Sequence, residues 1–158
     1  MKKLILILSC WLVPGVTAFA QSMYGDAVKA DIKMKYVYSF EEALKKAKEE
    51  KKLIFFNCFA DWALPCHGMN RYVFSDREFA DWMDKHFVNF FMDVTTDEGR
   101  PLADKYNAKS MAHYLVLDSE GNVVHRIVGG CRLPEFKERG RLCFESGNLS
   151  NRTGGKIR

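Results

Sequence analysis

The feature that most constrains this chain is the continuous apolar run Leu53-Ile54-Phe55-Phe56, followed by a loop from Phe59 to Leu64 and a proline-led helical segment from about Pro65 to Val73. Apolar residues in succession, without alternation, mark a strand covered on both faces. Such a strand needs helices above and below it, which commits the chain to a layered α/β arrangement. Phe87 to Val94 reads the same way, with Asp93 near its end, and Tyr36-Val37-Tyr38 reads as a short strand. Ser39 and Glu42 form an S-x-x-E capping box for a helix carrying Phe40, Leu44 and Ala47 at helical spacing. Ser75 and Glu78 predict a second box, for a helix ending near His86, and Pro101 to Tyr106 fits a short helix. Tyr114 to Leu117 and Val123 to Val128 flank Asp118-Ser119-Glu120-Gly121-Asn122, which suits an antiparallel hairpin. Pro134 opens a last helix around Glu135 to Arg139. This order predicts a mixed central sheet with helices on both faces. Right-handed crossovers then place the Phe59 to Cys66 loop beyond the carboxyl end of a central strand, where ligands bind in open α/β sheets.

Residues 1–20 stand apart. Lys2 and Lys3 precede an apolar stretch from Leu4 to about Val13, and Ala18-Phe19-Ala20 follows, with no acidic residue. This is the pattern of a cleaved secretory leader. Pro14-Gly15 interrupts the stretch before it reaches the ~20 apolar residues a membrane span needs. A lipoprotein reading of Leu8-Ser9-Cys10 is the lesser alternative. The mature chain is therefore expected in an oxidising compartment, the bacterial periplasm or the outside, with no membrane span after cleavage. The whole chain has 158 residues, 47% of them apolar and 28% charged, which suits one globular domain and excludes intrinsic disorder. Without the leader, 22 basic residues oppose 20 acidic ones, too even a balance for a nucleic-acid binder.

The segment Leu53 to Met69, LIFFNCFADWALPCHGM, resembles the active-site stretch of thioredoxin-like proteins, with the strand, Ala60, Trp62, Pro65 and Cys66 in register. The resemblance extends from about Tyr38 to Arg139 and includes Tyr106 to Asp118 and Val128-Gly129. It implies a thioredoxin-like three-layer sandwich, here a domain over residues 24–140; from Gly140 onward the apolar periodicity disappears, and Gly147, Gly154 and Gly155 among Ser, Asn, Arg and Thr predict a flexible tail over 141–158.

Dithiol exchange needs a thiolate at a helix N-terminus, where free N–H groups and the helix dipole lower its pKa, and a second thiol three residues on. The resemblance puts the attacking position at Ala63 and the resolving one at Cys66, so the chain reads A-x-x-C. The family's acidic proton carrier falls at Asn57, which does not titrate. Its cis-proline falls at Ala112, followed by His113; a cis bond before a non-proline residue costs about 2.5–4 kcal/mol, so Met111-Ala112 is expected to be trans.

No catalytic residue is assigned, and Cys66 is the redox candidate. Cys131, which the resemblance places near the active-site helix, is its candidate disulfide partner, and Cys58 reads as a core residue. Cys143, in the tail, is expected to be exposed and able to mediate dimers. Cys66, His67, His113 and Cys131 match none of the compact zinc spacings, so neither metal nor cofactor is expected. Trp62 and Leu64 predict an exposed apolar patch, and Trp62, Ala63, Leu64, Pro65, Ala112 and His113 form the candidate binding surface. The expected function is a secreted, non-catalytic module for a protein or peptide partner. A thiol-disulfide oxidoreductase acting through Cys66, and a structural subunit of an envelope assembly, remain as alternatives.

Overall fold

The computed structural model of the protein describes residues 32–144. The expected leader (1–20), the first residues of the expected domain (24–31) and most of the expected tail (145–158) lie outside that range. Helix α1 (Phe40–Glu50) starts where Ser39 Oγ accepts the Glu42 N–H at 3.3 Å. The predicted box is only half formed, because the Ser39 hydroxyl donates to the Glu41 carboxylate rather than receiving a contact from Glu42. The helix stops at Lys51, whose left-handed backbone (φ 53°) returns its N–H to Ala47 O.

Strand β1 (Leu53–Phe59) follows, then α2 (Leu64–Tyr72), α3 (Arg77–His86), β2 (Phe87–Asp93) and α4 (Gly99–Lys105). The hairpin β3 (His113–Leu117) and β4 (Val123–Val128) leads into α5 (Leu133–Arg139) and a single turn, α6 (Arg141–Phe144). The sheet order is β2-β1-β3-β4, with β1 parallel to β2 and antiparallel to β3, and β3 antiparallel to β4. The mixed sheet predicted from the apolar runs is therefore present, with β1 and β3 in its interior.

Alternation along the strands divides the core. On one face Phe56 packs on Phe90 (ring centroids 4.6 Å apart), with Phe40 of α1 and Tyr106 beyond α4 against them. On the other, Phe55 stacks on Tyr114 and is enclosed by Phe74 and Phe136, so α2, α3 and α5 cover this side. The hairpin turn is built by Asp118, whose Oδ1 accepts the N–H groups of Glu120 and Asn122. Gly121 supplies the positive φ (+82°) that lets the Tyr106 hydroxyl donate to its carbonyl at 2.9 Å.

Several expectations are corrected. Tyr36 to Tyr38 is no strand: only Val37 bridges β2, exchanging hydrogen bonds with Asn89 and Phe91. Helix α3 is capped by Asp76, whose carboxylate accepts the Phe79 N–H at 2.8 Å, while Ser75 Oγ donates back to Arg71 O. The expected looseness from residue 141 onward does not hold for Arg141–Phe144. Phe144 packs on Phe79, Trp82, Phe87 and Phe136, and Cys143 is buried beside it rather than exposed. No helix among the described residues is long and apolar enough to cross a membrane.

Candidate functional site

The site is assembled where β1 runs out and α2 begins. Ala63 is the N-cap of α2, with extended backbone and no side-chain cap, and Pro65 occupies the first turn, where its missing N–H costs nothing. Ala63 N–H donates to Ala60 O at 3.0 Å, and Cys66 N–H donates to Ala63 O at 2.9 Å. The loop is held down by His67, whose Nε2–H donates to Asp61 O at 2.6 Å while its ring meets Phe59 edge-on.

A helix N-terminus is the place where a thiol would be most acidic, and it carries the methyl group of Ala63. Cys66, one turn in, is buried. Burial pushes its thiol up, the Ala60 backbone opposes this in part, and the Asp93 carboxylate adds to the rise. Asp93 accepts from Thr95 N–H and Oγ1 and is paired in register with Phe59. Asn57 is buried and uses its amide to donate to the Tyr36 hydroxyl at 3.2 Å; burial pushes that phenol up as well. The Cys58 thiol, deep in the sheet, is pushed up by burial, so its reading as a core residue agrees with the structure. Cys66 and Cys131 stand as separate, unbridged thiols. Among the described residues no three His, Cys, Asp or Glu side chains converge as metal ligands would.

The Met111-Ala112 bond is cis, against the expectation of trans. The local preference is outvoted by the setting: Ala112 is buried, its carbonyl accepts the Gly129 N–H at 2.8 Å, and the next residue, His113, is locked opposite Cys58 in the sheet. His113 alternates with Tyr114 along β3 and so points to the α1 face, away from α2. Its Nδ1–H donates to Ser110 O at 3.1 Å, and the Arg126 guanidinium donates to Nε2. Arg126 also reaches Tyr106 O at 2.8 Å.

The sheet order β2-β1-β3-β4, with α2 starting just after β1 and the hairpin leading into α5, is the architecture the resemblance implied. The chain belongs to the thioredoxin-like family, whose pattern it matches over residues 35–119. It is 31% identical to thioredoxin H3 of Arabidopsis thaliana over 96 residues, 61% of this chain and 75% of that one. The solution structure of a candidate disulphide-isomerase from Bacteroides thetaiotaomicron is 35% identical, with TM-score 0.59, covering 78% of this chain and 96% of that one. A thioredoxin from Thermus thermophilus shares the fold with TM-score 0.65 at 22% identity, over 80% and 99% of the two chains.

Within this thioredoxin-like frame the predicted surface divides. Trp62, Leu64 and Pro65 are exposed, whereas Ala63, Ala112 and His113 are buried and present no side chain to a partner. Ala63 is a candidate through its place in the A-x-x-C segment, and Ala112 and His113 through the family's cis-proline position; neither reason reveals which way a side chain points. One exposed residue escaped the sequence reading: Tyr72, at the far end of α2. Its spacing of eight from Leu64 would have identified it as a residue on the same helix face.

Proposed function

We propose that the mature chain is a secreted thioredoxin-fold module that holds a protein or peptide at the Trp62 to Cys66 edge without exchanging thiols. The observation that supports this most directly is the Ala63 methyl at the N-cap of α2, with Cys66 buried and its thiol pushed up, and the half-buried Cys131 thiol pushed up as well. Attack on a disulfide requires a thiolate with access to it, and neither sulfur position offers one. The exposed indole of Trp62 and side chain of Leu64 supply apolar contact area without turnover. Secretion, to the periplasm in a bacterial cell, rests on the 1–20 leader, and sequencing of the exported protein should begin at or near Gln21.

Insulin reduction with a dithiol donor tests the reading. The expected rate equals the background rate, with Cys66→Ser indistinguishable from the parent. Clear activity that disappears in Cys66→Ser overturns it. The second reading, an oxidoreductase working through Cys66, draws on the names of the relatives, thioredoxins and a candidate disulphide-isomerase, and that result would establish it.

A further inference from the structure

Leu64, Gly68 and Tyr72 follow one another at intervals of four residues and so form a line along the outer side of α2. Leu64 is 81% exposed and Tyr72 69%, and Trp62 at 70% continues this apolar face past the helix start. Beside it runs a groove of about 740 Å³, with Pro65, Gly68 and Tyr72 on one side and Cys131 and Arg132 on the other. Its floor is closed. A Cβ on Gly130 would stand 3.2 Å from Pro65 Cβ, and Cys131 N–H points at Met69 Sδ at 3.3 Å.

Gly68 is the anomaly in this arrangement. Glycine inside a helix costs roughly 0.5–1 kcal/mol relative to alanine, and a close neighbour or a positive φ ordinarily accounts for it. Here a Cβ would meet nothing within 4 Å. No packing within the described protein explains the missing side chain. Its absence leaves a notch between Leu64 and Tyr72, open to an incoming chain.

Charge identifies the occupant. The groove wall contains Arg132 and no carboxylate, and the Arg71 guanidinium lies over the Tyr72 ring, 5.7 Å from its centroid. Neither arginine is in a salt bridge among the described residues, whereas nearby Glu135 and Glu138 are bonded to Arg139 and Arg141. The chain's own C-terminal segment carries Arg152, Lys156 and Arg158 against Glu145, and a second mature copy has the same excess of basic residues, 22 against 20. Both are poor matches for two unpaired arginines.

We infer that the groove seats an acidic peptide segment of a partner protein. An aromatic or branched aliphatic side chain enters the notch at Gly68, and flanking carboxylates meet Arg71 and Arg132. The inference rests on the binding-module reading and extends it, by naming the partner's chemistry and a second wall.

The test is selection from a random-peptide phage library on the immobilised protein, followed by anisotropy measurements on synthetic copies of the selected peptides. Enriched sequences should pair Trp, Phe or Leu with Asp or Glu. Gly68→Leu should weaken their binding about tenfold or more, equivalent to about 1.4 kcal/mol, and R132E should weaken it by a comparable factor. Gly68→Leu should melt no lower than the parent, since the position is open and leucine favours helix. No enrichment, a basic or uncharged consensus, or undiminished binding to Gly68→Leu overturns the groove. A dimer that Gly68→Leu dissolves also overturns it, by assigning the face to a second copy. Binding lost in Trp62→Ala but kept in Gly68→Leu removes the groove and leaves the edge reading standing; peptide binding that neither variant weakens removes both.

Discussion

Arg126 reaches across from β4 to donate a hydrogen bond into the Nε2 of buried His113, which fixes the imidazole in its neutral, Nδ1-protonated form. Burial holds the His113 pKa below its usual value near 6.5, and the neighbouring guanidinium holds it further down. The unfolded chain then takes up a proton more readily than the folded one. Stability from this site is complete above about pH 6.5 and is lost as pH falls from there toward the folded value, by no more than about 1.4 kcal/mol per pH unit. Urea unfolding at pH 7.5 and 5.5 should show this loss, and His113→Gln should remove it. An unchanged pH dependence in the variant would contradict the assignment.

Ala63→Cys is expected to place a thiol at the start of α2, where unpaired N–H groups favour the thiolate. Its alkylation at pH 7 should run about tenfold or more faster than that of Cys66 in the parent, with a pKa below the unperturbed value of about 8.5. A pKa at or above that value would mean that the N-cap is not where the structure puts it.

Asp76→Ala removes the carboxylate that accepts the Phe79 N–H and should cost about 1 kcal/mol in chemical denaturation. Ser75→Ala, whose hydroxyl only donates back to Arg71 O, should cost clearly less. The reverse ranking would restore the capping box read from Ser75 and Glu78.

Phe144→Ala takes away a ring that touches Phe79, Trp82, Phe87 and Phe136, and should destabilise the domain by about 3 kcal/mol. A loss within about 0.5 kcal/mol, as for an ordinary surface site, would show that the chain beyond Gly140 contributes no packing.

The legible parts of the fold are those with a local cause. The run Leu53 to Phe56 became the central strand because uninterrupted apolarity is tolerated only where both faces are covered. Helix α2 could be located from Pro65, and the hairpin from Asp118 to Asn122, because each uses a local backbone preference. The Ser75 box was misplaced by one residue because Asp76 competes for the same N–H groups with a stronger, charged acceptor.

The candidate site divides along the same line. That Ala63 stands where a nucleophile would be, and that Asn57 cannot carry a proton, follows from the residues alone, since no folding can supply a group the side chain lacks. The cis Met111-Ala112 bond, the turning of His113 away from α2, the burial of Cys143 and the groove beside Gly68 are of another kind. Each depends on contacts between segments far apart in the chain, which the local sequence does not specify. The alanine at the start of α2 was thus written in the sequence, whereas the groove beside Gly68 came into being only when α2 met the loop after β4.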